Sequence, residues 1–245
     1  MDDVALVLDA SLANHPSLQE RVYLLLRQNI IDGTLPSDAR LIETEIARAL
    51  GVSRNPVREA IRRLQQEALV VVRPRAGVFV TSFSLKDVED TYTVRSALEG
   101  LASALAARQI TPDELQGLDD ELRIQRNAVA AGDVPRLRES IDAFHNLLHS
   151  ASRNDRLIDL LVRLNDSIKR FRAVTSSLPD RRETIIRDHE EILRALEEHD
   201  GSRAEWLMRS HVDGSRRRLL AHLAATGTLI SDPVGSAARA AAVVG

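Results

Sequence analysis

The sequence predicts a mainly α-helical protein in two parts: three helices with a β-hairpin, followed by an all-α helical bundle of about six helices. Three observations predict it. Between residues 18 and 68 apolar residues recur at helical spacing, and they then give way to the β-branched run "LVVVRPRAGVFVT" (69–81). After Ser84 the helical periodicity resumes and no strand pattern returns. Charge is also divided: residues 17–81 carry ten arginines against seven acids, although the 245-residue chain has a net charge of −3. A basic module is thus joined to an acidic one.

Composition excludes several classes. With no cysteine there is no disulfide framework, no Cys-bound zinc and no thiol nucleophile. No apolar run approaches the ~18 residues of a membrane span. Asp2 and Asp3 stand where a signal peptide carries positive charge. The expectation is a soluble, cytoplasmic protein with no membrane partner.

Residues 1–17 form an acidic leader with no assigned role. Leu18 to Ile31 reads as a helix closed by Asp32-Gly33. "LPSDARL" (35–41) is a turn or short strand, and Glu43 to Leu50 is a short amphipathic helix ending at Gly51. A third helix runs from Arg54 to Ala68, with Ser53 as N-cap and Pro56 in the first turn. Val57, Ile61 and Leu64 form one apolar stripe, while Arg54, Arg58 and Arg62 at i, i+4 and i+8 line another face. The β-branched run, broken at Pro74 and Gly77, makes a hairpin. Helix, helix, helix, hairpin is the order of a winged helix-turn-helix, here spanning residues 18–82.

A helix with one face for a core and another of forked cations suits a polyanion. The start of such a recognition helix enters the major groove of double-stranded DNA, where arginine pairs with guanine O6 and N7 for about 1–3 kcal/mol of discrimination each. Arg62 and Arg63 lie further along and suit phosphate. The competing reading is a solvated arginine face paired with Glu59 and Glu67.

In the second half, Ser84 and Asp87 have capping-box spacing, and Thr111, Pro112 and Glu114 repeat the signal. Further helices are expected over Pro135–Ala151, Asp155–Ser176, Arg181–Glu198 and Arg203–Ala224, within a domain spanning 84–226. The small-residue-rich tail, 227–245, is expected to be disordered. Asp142 and His145 are three apart on one helix, with His149 four further on; His189 and His211 lie on two others. Imidazoles from three helices and a nearby carboxylate could converge on a divalent metal ion: zinc, nickel, manganese or iron. The alternative is unrelated surface histidines.

These residues carry a family resemblance. "LIETEIARALGVSRNPVREAIRRLQQEALV" and "RPRAGVFV" resemble the helix-turn-helix and wing of GntR-type bacterial transcription regulators. "YTVRSALEGLASALAA", "FHNLLHSASRN" and "DHEEILRALEEHDG…AEWLMRSHV" resemble the FCD ligand-binding domain of the FadR-type subgroup. The resemblance implies that Ser53, Arg54, Asn55 and Arg58 reach the operator and that Gly77, beside Arg75, lies at the wing tip. Asn55 stands where threonine is usual, and Thr44 falls where some members use an arginine for DNA.

The resemblance also implies His145, His189 and His211 as metal ligands. Many members place Asp or Asn four residues before the first of these. Here that position is Ile141, and the acid is Asp142, three residues before. Either Asp142 substitutes as a ligand or three histidines and water hold the ion. Arg95 matches an arginine of the first FCD helix and is the candidate partner for an effector's carboxylate, against the plainer reading of an i, i+4 ion pair with Glu99.

The implied protein is a homodimeric DNA switch, by family habit a repressor, controlled by a small organic acid at a metal site. Two alternatives stand beside it: a constitutive dimeric DNA-binding protein with no effector, and a metal-dependent hydrolase. The chain lacks H-E-x-x-H, a Gly-rich phosphate loop and a Ser/His/Asp set, and a hydrolase has no use for residues 18–81; no enzyme is expected.

Overall fold

The computed structural model describes residues 16–175 and 178–226. Most of the expected leader, Ser176 at the expected end of one helix, and the expected tail 227–245 lie outside the described residues. In chain order the elements are α1 (Leu18–Ile31), β1 (Arg40–Leu41), α2 (Glu43–Leu50), α3 (Arg54–Gln66), β2 (Val70–Arg73), β3 (Gly77–Val80), α4 (Leu85–Ala107), α5 (Pro112–Ala131), α6 (Val134–Ala151), α7 (Asp155–Thr175), α8 (Pro179–Glu197) and α9 (Gly201–Ala225). They fall into two compact units that divide between Thr81 and Ser82.

The first unit is a three-helix layer on a small antiparallel sheet ordered β1-β3-β2, with Arg40 opposite Phe79 and Val72 opposite Val78. The third helix does what its two faces dictate: Val57, Ile61 and Leu64 are buried with Val22, Leu26 and Ile30 of α1. Gly51 ends α2 in the left-handed region, φ 65°, donating to the carbonyls of Ala47 and Arg48. Helix α3 stops at Gln66, two residues short of the expectation. Ala68 has turned to φ 55° so that Leu69 can bond the Leu64 carbonyl and enter β2.

The second unit is a bundle of α4 to α9. Its core joins Tyr92, Leu118, Leu122, Phe144, Leu148, Phe171, Ile192 and Met208. Small residues on α4 let α9 lie along it: a Cβ on Gly201 would meet the Ala104 carbonyl oxygen at 2.9 Å. The capping devices hold, since Ser84 Oγ accepts from the Asp87 amide and Thr111 with Glu114 forms a complete capping box. Three helices start one or two residues earlier than periodicity suggests. For α6 and α9 the reason is local: Asp133 accepts from the Arg136 amide and Asp200 from the Arg203 amide, so each aspartate caps and the helix begins directly after it. Helix α8 begins at Pro179, a helix-compatible first residue. Among the described residues no helix is long and apolar enough to cross a membrane.

Candidate nucleic-acid interface and metal centre

In the first unit, one side of α3 is buried and the other is open. Ser53 occupies the N-cap position with extended backbone, and its side chain makes no capping bond. Ser53, Arg54, Asn55, Arg58 and Arg62 are all exposed, as is Thr44 at the start of α2. Glu43 of α2 faces the first two arginines: its Oε2 lies 3.5 Å from Arg54 and 3.4 Å from Arg58. Arg62 pairs with Glu59 at 3.1 Å, one turn back. These pairs are solvent-exposed, and such pairs are worth at most about 1 kcal/mol. An approaching phosphate or base can therefore take the guanidiniums over.

Arg63 departs from the phosphate role that its place in the sequence suggests. Its guanidinium stacks on the Tyr23 ring, 3.7 Å from the centroid, and pairs with Glu20. It ties α3 to α1. In the wing, Arg75 is exposed at the turn with φ 62°, and Gly77 opens β3 with φ 116°. A side chain on Gly77 would be strained by that backbone and would meet the Arg40 guanidinium at 3.2 Å.

In the second unit, His145 of α6, His189 of α8 and His211 of α9 are buried and bring ligand atoms within 4.8 Å of one another. Each ring has an acceptor beside Nδ1. The Glu99 carboxylate lies 2.7 Å from Nδ1 of His145, the Gln125 carbonyl oxygen 2.9 Å from that of His189, and the Asp188 carboxylate 2.9 Å from that of His211. Phe144 stacks on His189 with centroids 4.3 Å apart. At His189 and His211 the Nδ1 hydrogen bond selects the tautomer in which Nε2 carries the lone pair, which is how ligating imidazoles are set by their outer partners. Both ring nitrogens of His145 are buried without a hydrogen bond, although the Glu99 carboxylate stands beside Nδ1. Three imidazoles so arranged fit a divalent first-row metal.

Sequence reasoning did not single out Glu99, Gln125 or Asp188 for this site. The one signal for Glu99 is a carboxylate inside the small-residue stretch "ALEGLASALAA", where burial forces it to be paired. It is 1 % exposed, and its Oε1 lies 2.6 Å from Arg95 Nε. Burial alone would push its carboxyl up; Arg95 and His145 instead hold it well below the usual carboxylate range. His149 stands at the edge of this pair, 3.9 Å from the same Oε2.

Arg95 makes the i, i+4 ion pair with Glu99 that is the plainer of its two readings. It also lines a small cavity with Tyr92, Arg172, His211 and Ser215. Asp142 is outside the histidine group. Its carboxylate pairs with Arg172 of α7 and lies 4.0 Å from Lys169, while Ile141 takes the inward position.

Comparison with known proteins accounts for both units. Residues 18–80 match the gntR family of bacterial regulatory proteins, and residues 90–214 match the FCD domain. The chain is 33% identical to an uncharacterized HTH-type transcriptional regulator, YdhC of Bacillus subtilis, over 77% of this chain and 85% of that protein. It is 29% identical to the HTH-type transcriptional repressor RspR of Escherichia coli K12, over 80% and 86%. Among solved structures it resembles a GntR transcriptional regulator from Rhodococcus sp. RHA1, with TM-score 0.69 and 28% identity over 83% of this chain and 97% of that one. E. coli McbR/YncC is similar, with TM-score 0.68 and 25% identity over 84% and 98%. An exposed arginine face on the third helix of a winged fold, a histidine-lined helical unit and these matches agree: the chain belongs to the gntR family of bacterial regulatory proteins and is a DNA-binding transcriptional regulator with an FCD domain.

Proposed function

We propose that this regulator is a homodimeric repressor whose hold on its operator is set by a small organic acid bound at a divalent metal ion in the helical unit. One observation carries the reading: three buried imidazoles from three helices converge, each with a separate acceptor beside its Nδ1. Outer partners of this kind orient metal-ligating histidines. His145, His189 and His211 would hold zinc, nickel, manganese or iron, and when bound the ion supplies open positions for a ligand's oxygen atoms. Arg95 lines the adjoining cavity, and Glu99 does not exhaust its five N–H donors. It is the group that receives a carboxylate there.

On DNA, Ser53, Arg54, Asn55 and Arg58 address base edges, while Thr44, Arg62, Arg75 and Gly77 lie against backbone or groove wall. A dimer offers two such helices to half-sites about 34 Å apart. The effector shifts operator affinity only by its differential affinity for the two dimer arrangements, typically about 1–3 kcal/mol.

Metal content of the purified protein by mass spectrometry, with His189→Ala in parallel, is the test. About one equivalent per chain, lost in the variant, is expected. No metal in the wild type after incubation with zinc and nickel would leave a metal-free DNA-binding protein, and the reading would fall.

A further inference from the structure

Two arginines line the same cavity beside His211, and their counter-ions differ in kind. Arg95 is balanced by Glu99, which is 1 % exposed and also touches His145. That carboxylate cannot leave without stranding a buried charge. Arg172, 10 % exposed, is balanced by Asp142, whose side chain is 25 % exposed. Lys169, on the same helix as Arg172, lies 4.0 Å from the other Asp142 oxygen and offers it a second seat nearer solvent.

Ile141 explains why Asp142 sits there. It is 2 % exposed and lines the cavity, so it takes the inward place on α6. The next residue is rotated by about 100° around the helix, toward α7 and away from the three histidines. Asp142 therefore presents to Arg172 the same chemical group that an organic acid would present, attached to the protein by a single methylene.

We infer that Asp142 is a displaceable internal anion: it occupies Arg172 while the cavity is empty, and a ligand's carboxylate takes its place as Asp142 moves to Lys169. The inference rests on the effector reading above and deepens it. Recognition becomes a competition on Arg172 that only an anion can win, because a neutral ligand leaves the arginine with the partner it already has. The bidentate geometry available between guanidinium and carboxylate favours a carboxylate over a monatomic anion such as chloride. Arg172 becomes the residue that selects for acids, beside Arg95, whose donors not taken by Glu99 serve the same carboxylate.

Isothermal titration of the full chain with succinate, for wild type, Asp142→Asn and Arg172→Gln, tests this, with metal content measured on the same preparations. Asp142→Asn should bind succinate at least ten-fold more tightly than wild type, should keep the wild-type metal content, and should lose the gain when Arg172→Gln is added. Asp142→Ser carries the same test if the asparagine variant does not fold. Unchanged or weaker succinate binding in Asp142→Asn, or no binding to either form, would overturn the inference. So would loss of metal in that variant, which would make Asp142 a ligand. Absence of metal from every preparation would remove the metal reading alone, since the succinate titration reports on Arg172 independently.

Discussion

Oε2 of Glu99 lies 2.7 Å from Nδ1 of His145, while Oε1 of the same carboxylate lies 2.6 Å from Nε of Arg95. One buried acid thus orients a candidate metal ligand with one oxygen and balances a buried cation with the other. Glu99→Gln should lower zinc affinity about 10–100-fold, the usual effect of losing an outer partner of a ligating histidine. It should also lower stability by about 3–5 kcal/mol, because Arg95 is left as an unpaired buried charge. The double change Arg95→Gln/Glu99→Gln separates the two: thermal stability should recover while zinc affinity stays low. Recovery of both would assign Glu99 to stability alone.

The exposed arginines of α3 should divide by position. Arg58→Ala should cost about 1–3 kcal/mol on the operator and relax preference at one base pair. Arg62→Ala should weaken operator and random duplex alike, with the slope of log affinity against log salt falling by about 0.9. Glu43→Gln removes a carboxylate that competes with DNA for Arg54 and Arg58, and should raise affinity for random duplex by no more than about five-fold, the scale of an exposed ion pair. Anisotropy titrations at several salt concentrations read all three. Equal losses on operator and random DNA for Arg58→Ala would deny it a base contact.

The capping box of α5 makes a stability prediction with a pH dependence. Thr111→Ala should cost about 1 kcal/mol, or about 2–4 °C in midpoint for a chain of this size. Arg153, and then the Thr111 amide and hydroxyl, hold the Glu114 carboxyl below its ordinary value. A depressed folded value contributes stability that is present above the unfolded value of about 4.3 and lost as pH falls through the folded one. Glu114→Gln should therefore destabilise at pH 7, with a cost that shrinks as pH falls below the unfolded value, as thermal melts across that range would show. A cost that does not change with pH would mean the loss is one of packing.

Elements whose signals lie within a few residues of where they act follow from the amino-acid order alone. Leu18–Ile31 and Glu43–Leu50 start and stop where Gly33, Gly51 and the apolar spacing put them, and the arginine face of α3 follows from a period of four. Asp133 and Asp200 were equally local signals, as N-caps placed directly before their helices. Which polar groups meet is set by the packing of the helices. Gln125 reaches His189 across 64 positions, and Glu99 reaches His145 from another helix. Asp188 serves His211 although it is the neighbour of His189 in the chain. Asp142, three residues from His145, is turned to Arg172 instead. Caps and periods are satisfied within one turn of backbone, so they are written in order along the chain. Convergence across a bundle depends on how four or five helices pack at once, and a linear spacing carries no record of that angle.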